Sequence, residues 1–581
     1  MRFLRLCIVL ILIASPAWGR TIKVHVFYWN DKIEAQVAMR AGLEQEFEKH
    51  NASSSELKIE LVPYVAGDGR EGILNQINQL EEAFPKKPDA MIIQPPDLAT
   101  ASKALQEANA AKIPVFSFDQ YILLGNLTSY ITSDNYQAGW DNGIYIASLI
   151  PKEQEIKIVL VEYLRVSAVI NRVDGFFDAL RSKGRKFTVL KRYEAITPDS
   201  GKVAAQEILR DFPQKKSVDV IFTVNDGAGI TIADTLWSKG RKEVLHATVD
   251  GDPKAIENIR RKRLTVIDSS QYCAEIGRET ARQVINHFEE KAVNARVLIP
   301  TYPVTIKSLS GFNGWLGTPT VSIHASDFRM PSSETPSLNS KERERLPAIK
   351  IGIAPYCPYL CEKGPKRWTG YLNDILTSVA KENDIKIQIV SLTDTELPKA
   401  LMAKTVDYII LPSYLVRYEP NFQAVGPKLG ISFTGALFTP GVRIRVVDQD
   451  SLTDMRIAFA RLGQETELKL NPAEFKKSTK IEGHDVADRM IKTIIERRVD
   501  LALGDYNVLR YTLLRRQHLN LELQPTSLTG FNSLSLVIVP ENKYPLELQD
   551  LLNTWMEKAR SNGQLEQILR KYNLLDWKYY R

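Results

Sequence analysis

VDVIFTVNDGAG (residues 218–229) runs an apolar strand straight into Asn225 and Asp226, and VDLALGDYN (residues 499–507) repeats the move into Asp505. A strand ending on an acid or amide has two readings. The side chain forms a turn or caps the next helix, or it lines a cleft. Repetition separates them. From Thr21 to about Thr305 apolar runs such as IKVHVFY, DAMIIQPPD, PVFSFD, IKIVLVE and VLHATVDGD alternate with amphipathic segments such as EAQVAMRAGLEQEFEKH. That alternation predicts an α/β fold with parallel sheets covered by helices on both faces. Strands buried on both sides have to be nearly continuous in apolar residues, as these are. Polar groups gather where the strands finish, at Trp29-Asn30, Phe118-Asp119, Asp134-Asn135, Asn225-Asp226 and Asp250. In open parallel sheets the carboxyl ends of the strands form the ligand crevice. Five such ends in one half of the chain read as the lining of a cleft.

The chain has 581 residues, more than a single core holds, so two to four compact units are expected. Its net charge of +7 is spread without a long basic run, which argues against nucleic acid as a partner. The N-terminus carries Arg2 and Arg5, an apolar run from Leu6 to Ala14, then Pro16, Ala17 and Gly19. This is the pattern of a signal peptide over residues 1–19 cleaved after Gly19, and it predicts export to the periplasm with no membrane span in the mature protein. Three cysteines then remain. Cys357 and Cys361 are spaced for a local disulfide in an oxidising compartment, and Cys273 reads as a small buried apolar residue. No cofactor is expected and no metal site either, because no His accompanies the cysteine pair.

Residues 326–345, SDFRMPSSETPSLNSKERER within a linker of 326–347, lack apolar periodicity and divide a first domain (20–325) from a second (348–581). The second contains an echo, KTVDYIILPSY and RRVDLALGDYN, each driving an apolar strand to a polar end. Two such units predict two facing lobes.

These residues resemble bacterial periplasmic solute-binding proteins twice over. NRVDGFFDAL, TVNDGAG, VDGDPKAI and DSSQYCAEIG follow in order the motifs of the type I, ribose-binding-like family. PYCPYL with WTGYLNDIL, RRVDLALGDYNVL and NGQLEQILRKY are similar to the type II family that binds amino acids. The resemblance implies two modules, each of two lobes joined by a hinge with the ligand cleft between them. For the first module it implies that Tyr28, Trp29, Phe118, Asp119, Asp134, Arg172, Asn225, Asp250 and Gln271 meet the ligand. Aromatic faces with Asp, Asn and Arg satisfy a polyol, since carboxylates accept, guanidinium donates and Asn does both. Gln120 stands where ribose binders carry a second Arg, so ribose itself is not implied. For the second module it implies an amino acid, with Asp505 on the ammonium, Arg417 on the carboxylate and Tyr359 as a wall. Two features depart from the type II pattern, the short segment Leu411 to Arg417 and LGQET at 462–466.

An enzyme is not expected, and no catalytic residue is assigned. GDGREG (67–72) follows a strand and precedes a helix, as a dinucleotide motif does. No acidic residue ends the next strand, however, to hold a ribose. Neither a Gly-x-Ser-x-Gly elbow nor a His-Glu-x-x-His motif is present. The resemblance implies lobe closure on a small polar solute and presentation to an inner-membrane ABC permease. The alternative partner is a sensor histidine kinase or chemoreceptor.

Overall fold

The computed structural model describes residues 19–54, 56–320, 347–364, 367–441, 445–460, 478–481, 485–516, 519–528, 530–540 and 548–578. The expected signal peptide up to residue 18, nearly all of the expected linker and LGQET lie outside these residues.

The first domain contains two six-stranded sheets. The strands in chain order are β1 (Arg20–Tyr28), β2 (Leu57–Val65), β3 (Ala90–Ile93), β4 (Val115–Phe118), β5 (Ser129–Ser133) and β6 (Ile156–Glu162). They continue as β7 (Phe187–Glu194), β8 (Val220–Thr223), β9 (Leu245–Asp250), β10 (Thr265–Ser270), β11 (Arg296–Ile299) and β12 (Tyr302–Thr305). One sheet has the order β11-β5-β4-β3-β1-β2 and the other β12-β10-β9-β8-β6-β7. All neighbours are parallel except β10 and β12. The chain therefore builds most of one lobe, then most of the other, then returns to add one strand to each. The predicted alternation is present, and β3, β4, β5 and β8 are buried along their whole length as expected.

Helices are exchanged as well. Cys273–Phe288 packs against Glu34–Ser53 in the first lobe, and Asn135–Leu149 packs against Ser167–Ser182 in the second. The second pair is close because glycine faces backbone. A Cβ at Gly139 would lie 1.9 Å from the Arg172 carbonyl oxygen, and one at Gly175 would lie 2.1 Å from that of Tyr136. This contact fixes the height of Arg172 at the cleft.

The second region is also α/β. Its strands are β13 (Ile349–Ile353), β14 (Cys361–Gly364), β15 (Arg367–Thr369), β16 (Ile387–Ser391), β17 (Tyr408–Pro412) and β18 (Gln423–Phe438). After them come β19 (Ile457–Ala460), β20 (Ser478–Ile481), β21 (Leu501–Asp505), β22 (Glu522–Pro525) and β23 (Phe531–Ile538). The main path is β16-β13-β17-β23-β18-β21-β19-β20. Strand β18 pairs with β23 along Gln423–Phe433 and with β21 and β22 from Thr434 onward, so one long strand spans two half-sheets. Each half has its own apolar cores. The short ribbon of β14 and β15 stands apart.

The two domains are clasped together. Arg181 of the first donates to the backbone oxygens of Val416, Arg417 and Glu419 of the second. The Tyr418 hydroxyl donates to Glu162 while the Arg192 guanidinium lies over its ring. On the other lobe, Arg445 reaches Asn78 and Glu81, and Arg70 pairs with Asp448. The second domain thus holds both lobes of the first.

Candidate functional site

The cleft of the first domain is lined by Trp29, Asp119, Arg172, Asn225, Asp250 and Gln271 among the predicted residues, joined by Gln36, Gln120, apolar Ile33, Met39 and Ile196, and others. The Arg172 guanidinium is its hub. It donates to Asn135 Oδ1 at 2.8 Å, to the Val224 carbonyl at 2.6 Å and to Asp250 Oδ1 at 3.1 Å. Gln271 Nε2 donates to the same Asp250 oxygen at 2.6 Å. Asp119 accepts from Gln94 at 3.0 Å and from Gln120 at 3.1 Å. Gln120 Oε1 accepts from the Ala168 amide, which links the first lobe to the start of the helix bearing Arg172. Asp119 (φ 64°) and Asp250 (φ 135°) both have positive φ, unusual for a residue with a side chain and common at binding sites.

Burial dominates the electrostatics. It raises Asp119 to about 6 against the opposing pull of the Gln94 hydrogen bond and the Arg172 charge. Behind the cleft Asp226, Asp250 and Asp268 are packed together. Asp226 accepts from Thr248 and from the amides of Gly251 and Asp252, and Asp268 accepts from Gly251. Burial raises all three, Asp268 to about 8, and their mutual repulsion adds to the effect on Asp226 and Asp268.

Three expectations for this cleft are corrected. Tyr28 points into the core, where its hydroxyl donates to Glu44 and its ring meets Phe118 edge-on. Phe118 is wholly buried in that core. Inward and outward positions alternate along a strand, so the aromatic that reaches the cleft is the neighbour, Trp29. Asp134 caps helix Asn135–Leu149 through the Gln137 amide and lines a different cavity, between the two domains. Asn225 combines both readings of a polar strand end. Its side chain caps helix Asp226–Ser238, donates to the Ile196 carbonyl and borders the cleft.

From the sequence, Gln36 and Gln94 receive no site role, and Gln120 enters only as a departure from the ribose-binding pattern. Gln94 follows β3 directly, so the strand-end rule could have found it. Gln36 sits in the first turn of helix Glu34–Ser53 and carried no such signal.

In the second region Tyr359 and Asp505 line one cavity at the ends of β13, β17 and β21, with Tyr356, Asp394, Tyr414, Ser432, Phe433 and Asn532 among their companions. Asp505 accepts from the Tyr359 hydroxyl at 2.8 Å, from Ser432 at 2.6 Å and, as a helix cap, from the Val508 amide at 2.9 Å. Burial raises its pKa. Arg417 is the correction here. Its Nε donates to Asp174 of the first domain at 2.6 Å and its Nη2 to Ser413 at 2.9 Å, and it does not line the cavity. The turn after β17 presents it to the neighbouring domain rather than across the lobes to Asp505.

Cys357 and Cys361 are joined in a disulfide and Cys273 is buried with a free thiol. No group of side chains suited to a metal ion occurs among the described residues. No helix among them is long and apolar enough to cross a membrane. At GDGREG, Asp68 caps helix Gly69–Ala83.

The periplasmic binding protein domain family matches residues 25–292. The ribose import binding protein of Bacillus subtilis is 23% identical over 268 residues, covering 46% of this chain and 82% of that protein. The protein of the same name from Escherichia coli K12 is 26% identical over 243 residues, covering 41% and 77%. Among solved structures, an ABC transporter solute binding protein from Agrobacterium vitis with bound allitol has a TM-score of 0.45 at 19% identity, covering 50% of this chain and 97% of that one. Residues 25–292 are accordingly a type I periplasmic binding protein domain of the ribose-binding-like kind.

Proposed function

We propose that the protein is an exported receptor in the periplasm that captures a small polyhydroxylated solute in its first cleft by lobe closure and presents it to an ABC-type importer. One observation carries this reading. Gln36 Oε1 and Gln271 Oε1, on residues 5% and 2% exposed, have no hydrogen-bond partner and border the same cleft. A buried acceptor without a donor costs about 1–3 kcal/mol, and solute hydroxyls would supply the donors. The Arg172–Asp250 pair and Asp119 add a charged donor and acceptors, and Trp29 adds an aromatic wall. Similarity to ribose import proteins supports a sugar-like ligand. The second region, in this proposal, is a type II module whose cavity around Asp505 takes a second small solute with a cationic head.

Calorimetric titration of the full chain with pentoses, hexoses and polyols tests the first site. Binding of one of them, with a loss of roughly tenfold or more in Arg172→Ala, is expected, since a hydrogen bond to a charged group contributes about 1.5–3 kcal/mol. No binding across the panel, or binding indifferent to Arg172, sinks the proposal.

Sensing is the second reading, and the clasp favours it. A domain that holds both lobes of its neighbour is placed to register closure. Permease and ATPase genes beside this one would support import, and a histidine kinase gene would support sensing.

A further inference from the structure

The charge of the second cavity narrows its ligand beyond an amino acid. Among the described residues, Asp394 and Asp505 are its charged lining residues, and no described Lys, Arg or His lines it. Among the described residues each carboxylate accepts from neutral donors, Asp394 from the Tyr356 hydroxyl at 2.9 Å and Asp505 from Tyr359, Ser432 and the Val508 amide. Burial raises both. The walls include the rings of Tyr356, Tyr359 and Phe433, whose faces attract cations. An α-amino acid would need a cation for its carboxylate, and Arg417 is instead held by Asp174 and Ser413. In this cavity that carboxylate would meet two others with no counter-charge among the described lining residues.

We propose that the second cavity binds an aliphatic diamine, one ammonium at Asp505 and the other at Asp394, with the hydrocarbon between the aromatic rings. The inference rests on reading the second region as a solute-binding module. A buried carboxylate and a half-buried one without a described cation are unfavourable, and a dication satisfies both while needing no anion-binding group.

The test is calorimetry on the full chain with putrescine, cadaverine, glutamine and glutamate, and near-UV circular dichroism monitors folding. A diamine should bind and the amino acids should not. Asp394→Asn should weaken the diamine roughly tenfold or more, because it leaves one ammonium without its anion. Asp505→Asn is the second variant, should the first not fold. Binding of glutamine or glutamate that is lost in Arg417→Ala would overturn the diamine assignment and leave the solute-binding module standing. Diamine binding unchanged in both Asp variants would place the diamine elsewhere and overturn it too. Binding of none of the four by a folded protein would bring down this inference together with the proposed second module.

Discussion

The two clefts meet the same problem, carboxylates brought into the protein at strand ends, in opposite ways. In the first, Asp250 is neutralised by Arg172 of the same domain, and Gln and backbone donors complete the network. In the second, Asp505 and Asp394 face hydroxyls and backbone amides, while the expected cation, Arg417, is bound to Asp174 across the domain boundary. A charge balanced from within is a stability element as well as a binding group. A charge left unbalanced costs stability until a ligand compensates it.

The largest effect that would sharpen this contrast is on Arg172. Arg172→Ala removes one partner of a buried pair, and about 3–5 kcal/mol of first-domain stability should go with it. Denaturant unfolding measures this, and a loss under about 1 kcal/mol would show that Asp250 is neutralised by protonation instead.

Arg181→Ala comes next. It leaves three backbone oxygens of the second domain without their shared donor, and a loss of about 1–3 kcal/mol is expected at the interface. In the wild type, a protease site placed near residue 335 should give two halves that co-elute in gel filtration. In Arg181→Ala they should separate more readily, and equal co-elution would show that the other contacts suffice.

A smaller effect depends on pH. Asp268 has a folded pKa of about 8, well above its unfolded value near 3.8. The folded state therefore holds a proton that the unfolded state has released, and stability falls as pH rises towards 8. The buried His246, lowered to about 3, destabilises only below the unfolded histidine pKa near 6.5. Between pH 6.5 and 8.5 the carboxyl cluster thus controls the slope. The melting temperature should drop by a few degrees over that range and stay flat in Asp268→Asn. A wild-type curve already flat would remove the cluster from the account.

The smallest effect is on Asp505. Asn caps a helix as well as Asp, and the charge it deletes has no cationic partner among the described residues. Asp505→Asn without ligand should melt within about a degree of wild type or slightly above. A fall like that of Arg172→Ala would mean the two clefts are balanced alike.

The strand ends were the legible part of both sites. Trp29, Asp119, Asn225, Asp250 and Gln271 meet in one cleft because parallel strands deliver their ends to one edge, which alternating apolar runs already imply, and the helix Ser167–Ser182 brings Arg172 to the same place. Arg172 and Gly175 also belong together for a visible reason, since the glycine lets two helices touch at that height. Alternation along a strand says that neighbours face opposite sides but not which side is the core, and for Tyr28 and Phe118 packing decides it. Gln36 was missed because one glutamine in an amphipathic helix has no distinguishing neighbours.

By itself the sequence determined the α/β class, the polar crests of the strands and the burial of Cys273, all of which follow from local period and composition. Only the tertiary structure decided where Asp134 and Arg417 work. Asp134 lies beside the first cleft in sequence and Arg417 matches a carboxylate-binding pattern, yet both face the boundary between domains. A charged side chain takes the partner that packing brings within reach, and packing between domains leaves no period in the chain.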